Sequence, residues 1–133
     1  MRYLIDNNTL SNALLSRSLG RKDVFVVSEI VDEYAYIPEE VVKIKSFGIN
    51  ILEVGKKHLE TAAKILNDHA DNLKLIRLYT NKGCGDVMML AYIVAEKEKP
   101  ESLFTEEYTL VTRDKELISV AKIYGIKSVE RLP

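Results

Sequence analysis

At 133 residues the chain has room for one domain with a substantial core and too little for two. With 47% apolar and 29% charged residues it is neither disordered nor fibrous, and its net charge of -1 excludes a general basic field, so any nucleic-acid binding must rest on a local cationic patch. The single cysteine, Cys84, rules out an internal disulfide, and no signal-like start or apolar stretch of about 20 residues appears, so a cytoplasmic protein without a membrane span is expected.

The first element is the strand Tyr3-Leu4-Ile5, which ends in the polar run Asp6-Asn7-Asn8. Leu10, Leu14, Leu15 and Leu19 then share one helical face, with Gly20 as a natural stop. Val24 to Val27 and Ile49 to Val54 read as buried strands. Leu59, Ala62, Ala63, Leu66 and Ala70 predict a second apolar helical face, and Val87, Leu90, Ala91, Val94 and Ala95 a third. That third stripe frays into Glu96-Lys97-Glu98-Lys99 before Pro100, a solvated helix end. Thr109 to Thr112 is the fourth strand. A last helix runs from about Lys115 to Tyr124 with Leu117, Val120 and Ala121 inward, Gly125 closes it, and Ile126 to Val129 is the fifth strand. Strand-length runs alternating with helical periodicity predict an α/β domain on a parallel sheet of about five strands. No repeat, linker or low-complexity segment divides it, so residues 1–133 are read as one domain.

Three aspartates fall at loop or helix-start positions. Asp6 follows the first strand, Asp114 follows the fourth, and Asp86 opens the helix after Gly85. In an open parallel sheet the carboxyl ends of the strands share one edge, where ligands bind, so Asp6 and Asp114 are expected on the same side. Each could equally be a helix cap, because aspartate accepts hydrogen bonds from the free N–H groups of a first turn. The segment "VVSEIVDEYA" adds Glu29 and Glu33, four apart and therefore on one helical face. Clustered carboxylates repel one another unless a cation neutralises them, so an inward set of four acids points to a hard divalent metal, Mg2+ or Mn2+.

These motifs resemble the PIN-domain nucleases, the family of VapC-type toxins and RNA-processing endonucleases. "YLIDNNTLS" is similar to the family's opening strand and acid. "NKGCGDVMMLAYIVA" is similar to the glycine-flanked aspartate that begins its central helix, and "LVTRDKELISVAKIYGIKSV" resembles its closing strand, acid, helix and last strand. The resemblance covers nearly the whole chain and implies a three-layer α/β/α, PIN-like fold. It also implies catalytic and metal-binding roles for Asp6, Asp86, Asp114 and a glutamate, taken as Glu33 with Glu29 as the alternative.

The implied activity is metal-assisted hydrolysis of RNA phosphodiesters. Asn8 and Thr112 would orient a ligand or the attacking water, or else cap a turn. An acidic centre repels phosphate, so Lys82, Arg113 and Lys115, which flank the acids, are the expected substrate-binding cations. A toxin of this family would also take an antitoxin partner and form a homodimer. Two other readings compete: a non-catalytic PIN-fold module that binds RNA or protein, and an aspartyl phosphoryl-transfer or receiver-like domain. The receiver reading expects a closely spaced acid pair where this chain has Asp6 followed by asparagines. His58 and His69 are too far apart for one helical metal pair and are expected on the surface. Cys84 is read as a loop filler, and "GCGD" lacks the lysine and hydroxyl of a phosphate-cradling loop.

Overall fold

Strand-length runs of β-branched residues are stable in a sheet covered on both faces, and five of them pair here into one all-parallel sheet. In a computed structural model, residues 1–6, 17–34, 38–81, 85–99 and 107–133 are described, except for the side chains of 33, 34 and 78–81. The strands are β1 (Arg2–Ile5), β2 (Val24–Val27), β3 (Asn50–Leu52), β4 (Tyr108–Val111) and β5 (Ser128–Val129), in the order β3-β2-β1-β4-β5. The described helices are α1 (Ser28–Tyr34), α2 (Pro38–Ser46), α3 (Lys56–Asp68), α4 (Leu73–Asn81), α5 (Gly85–Lys97) and α6 (Lys115–Ile123). This is the α/β class the alternation predicts, and it fits a three-layer α/β/α arrangement.

The strand order sets which strand ends lie side by side. The chain steps outward from β1 to β2 to β3, then crosses back to β4 on the other side of β1 and on to β5. Connections to parallel neighbours are right-handed, so reversing the direction of travel sends the helices to the opposite face. The gap between β1 and β4 is therefore the topological switch point, the place at the carboxyl edge of open parallel sheets where ligands commonly bind. Register fixes what borders it: Ile5 is opposite Val111, which sets Asp6 beside Thr112.

Helix α5 is the hub, packed against α1, α3, α4, α6 and β2. It was expected to bury one stripe; instead Gly85 to Ile93 and Ala95 are all buried, because neighbours cover it on every side. Helix α6 buries Leu117, Val120 and Ala121 as expected. Its last carbonyls are closed by the Gly125 N–H on Lys122 O and the Ile126 N–H on Ala121 O, each at 3.0 Å, with Gly125 at φ +69°.

Several expectations need correction. Helix α3 buries His58, Thr61, Ala62 and Ile65, while Leu59 is 57% exposed and Ala63 also faces solvent. Its inward stripe is thus rotated from the predicted one. His58 is not a surface residue: its Nδ1 accepts the Gly55 N–H at 2.9 Å, which turns the ring inward. His69 is half-buried, with Nε2 3.1 Å from the Tyr124 hydroxyl. Helices α2 and α4 were not predicted. The helix expected at Leu10 to Leu19 lies mostly outside the described residues, though Arg17 and Ser18 are helical and Leu19 is exposed rather than inward.

Candidate functional site at the carboxyl edge of the sheet

Asp6 leaves β1 only 1% exposed, and its N–H extends the ladder by donating to Val111 O at 3.2 Å. A carboxylate removed from water needs strong partners. One is Thr112, whose Oγ1 donates to Asp6 Oδ2 at 2.5 Å. The same oxygen accepts the Asp114 N–H at 3.1 Å, and the Thr112 N–H donates to Val129 O at 3.0 Å. The hydroxyl of the fully buried Thr112 therefore links the Asp6 carboxylate to the backbone of Asp114 across the switch point, while the Thr112 backbone is held by β5.

Asp114 is half-buried and caps α6, its Oδ1 accepting the Leu117 N–H at 3.0 Å. The capping role considered from the sequence is thus present, and the helix N-terminus also favours a negative charge there. Asp114→Ala is expected to cost about 1 kcal/mol in urea unfolding through loss of the cap. Asp114→Asn keeps an acceptor at that position and should stay within a few tenths of a kcal/mol of the parent.

Asp86 lies in the first turn of α5 and is 9% exposed. Asp6 and Asp86 are thus buried and Asp114 half-buried, but they do not close a cage by themselves. Among the described residues, no three His, Cys, Asp or Glu side chains are grouped so as to hold a metal ion. Magnesium does not demand such a cage, since one or two carboxylates, water and substrate phosphate commonly complete its shell. The hard oxygen donors here suit Mg2+ or Mn2+ in kind.

Glu29, in the first turn of α1 just past β2, is the other acid whose side chain is described. Ser28 Oγ donates to its Oε1 at 3.0 Å, while Oε2 is buried with no hydrogen-bond partner among the described residues. Burial pushes the Glu29 carboxyl above its usual range, Ser28 opposes this, and the charges of Asp32 and Glu53 add to the rise. Ser28 Oγ also accepts the Val54 N–H at 3.4 Å, tying the ends of β2 and β3 together. Ser28 is not among the site residues expected from the motifs, although a serine where a strand gives way to a helix is a recognisable start signal. Glu33 sits one turn along α1, with its side chain outside the described residues, as are Asn8 and Lys82. Arg113 and Lys115 are exposed on either side of Asp114.

At the opposite edge, an open trough of about 510 Å³ is lined by Met1, Thr109, Lys122, Ile126, Lys127 and Val129 among others. It lies where β1 and β4 begin, so it is not part of the acidic site. No described helix is long and apolar enough to cross a membrane. Compared with known proteins, the chain matches no family model and no curated sequence.

Proposed function

We propose that the chain is a metal-dependent endoribonuclease, with its centre at the switch point between β1 and β4. The observation that carries this reading is the buried Asp6 carboxylate, joined through Thr112 Oγ1 to the backbone of Asp114. An acid with no further role has little reason to be buried at the crevice where parallel sheets bind ligands. The resemblance of the three acid-bearing motifs to PIN-domain nucleases supports the same assignment and supplies the substrate class.

Asp6 and Asp114, together with Asp86 and with Glu33 or Glu29, would hold Mg2+ or Mn2+. Such an ion, when bound, supplies charge stabilisation for the pentavalent phosphorus and a more acidic water. Thr112 fixes the direction of the Asp6 carboxylate, because its hydroxyl hydrogen is committed to that oxygen. Arg113 and Lys115, exposed beside Asp114, would draw the RNA backbone to the edge and offset the repulsion between acids and phosphate. A toxin role, with an antitoxin partner and a homodimer, belongs to this proposal through the resemblance alone.

The test is incubation of a mixed RNA pool with the purified protein in magnesium or manganese. Cleavage is expected with either ion and should vanish on chelation and return on readdition. Cleavage that persists in chelator would remove the metal from the scheme. RNA binding without product would make the chain a binding module, and labelling of Asp6 by acetyl phosphate would make it a receiver-like domain.

A further inference from the structure

We propose that His58 is an acid-sensitive latch on the packing of α3 against α5, holding the two helices together as a neutral ring and loosening them once it takes a proton from solvent. The inference is independent of the nuclease reading. His58 is the third residue of α3, and its Nδ1 accepts the Gly55 N–H at 2.9 Å. This is the return half of a capping box, with a histidine where glutamate or glutamine is usual. An imidazole nitrogen can accept only while it carries no proton. The proton of the neutral ring is therefore on Nε2, which is buried with no hydrogen-bond partner among the described residues. The ring is stacked on Tyr92 of α5, centroids 4.3 Å apart and planes inclined by 16°.

Protonation changes every one of these terms. A hydrogen on Nδ1 would confront the Gly55 N–H and end the cap, and a cation in the first turn of a helix meets the positive end of its dipole. The pocket itself is poorly suited to a charge, since His58 is only 9% exposed. The groups that face it are Tyr92, Glu96 and Lys99 from α5 and just beyond, and Lys57 on its own helix; Tyr108 of β4 stands behind Tyr92. Glu96 and the Tyr92 ring favour an imidazolium, while both lysines oppose it, and Glu96 is already paired with Lys99 at 2.5 Å. Burial outweighs the attraction of Glu96 and holds His58 below the ordinary histidine value of 6.5.

The direction of the pH effect follows. A histidine whose folded value is depressed gives stability that is fully present above 6.5 and is lost as the pH falls below it. Between about pH 8 and about pH 5, urea unfolding of the whole chain should show the equilibrium shifting toward the unfolded state by up to about tenfold per pH unit in the acidic half of that range. His58→Gln keeps an acceptor for the Gly55 N–H and does not titrate, so this component should be absent from it. A proton NMR titration of the wild-type chain supplies the second readout, with the His58 signal identified in His69→Gln, where it is the remaining histidine. It should titrate below 6.5. A His58 signal titrating at or above that value, or wild-type and His58→Gln stabilities that run parallel in pH, would overturn the proposal.

Discussion

Asp6→Asn is expected to lower magnesium-dependent RNA cleavage by about a thousandfold without lowering the unfolding temperature. A bound divalent ion contributes several kcal/mol of charge stabilisation in such reactions, and each 1.36 kcal/mol is a factor of ten in rate. Asparagine keeps the shape of the side chain and an oxygen to accept the Thr112 hydroxyl, so the link across the switch point survives. What is lost is the charge and one of the two acceptor oxygens, which becomes an amide N–H donor. Because Asp6 is 1% exposed, removing that charge also removes a desolvation cost, which offsets the loss of one acceptor, so stability should stay near that of the parent. Two measurements separate a metal ligand from a structural acid: cleavage rate, and the rise in unfolding temperature on adding Mn2+, which reports binding to the folded state. Wild type should show both and Asp6→Asn neither, with Asp86→Asn behaving alike. A variant that folds, cleaves normally and still responds to Mn2+ would leave Asp6 as a buried hydrogen-bond acceptor and remove the centre of the proposed function.

The sequence made the sheet legible because buried parallel strands are written as short apolar runs. Val24 to Val27 forms a strand with the bounds its composition predicts, whereas β3 is only Asn50–Leu52, trimmed at both ends of the apolar run that suggested it. Helix α3 shows where pattern reading fails. Leu59 and Ala63 look inward but face solvent, while the polar His58 and Thr61 are buried. They are tolerated there because local backbone satisfies them, Gly55 N–H for His58 and Lys57 O, at 2.8 Å, for the Thr61 hydroxyl. Hydrophobicity scales register the side chain and not the partner it will find. Helix α2, "PEEVVKIKS", carries little periodic signal, in keeping with Ile44 being its one buried residue. In the site, Asp6 and Asp114 were legible from strand ends and the rule for parallel sheets, and Asp86 from the glycine before it. For Thr112 the turn cap weighed from the sequence is present, its Oγ1 accepting the Asp114 N–H, whereas its contact with Asp6 spans 106 residues of sequence and leaves no local pattern to read.

Leu4→Ala is expected to destabilise the fold by about 2–5 kcal/mol and to lower the unfolding temperature by about 7–18 °C. Leu4 sits in the central strand, opposite Phe25 of β2 and Leu110 of β4, and is fully buried. Paired on both sides and packed beneath the helices, β1 has no free edge along which to shift and collapse the resulting void, which favours the upper half of that range. A domain of this size has about 5–15 kcal/mol in total, so the loss is a large share of it. Leu59→Ala removes the same atoms from the outer face of α3, where the side chain is 57% exposed, and should change stability by about 0.5 kcal/mol or less. The pair tests two things at once: the central place of β1 and the rotated phase of α3. Equal losses from both variants would return Leu59 to the inward stripe its sequence suggested. A negligible loss from Leu4→Ala would mean that β1 is not the central strand, and with it would go the switch point that sets Asp6 beside Thr112.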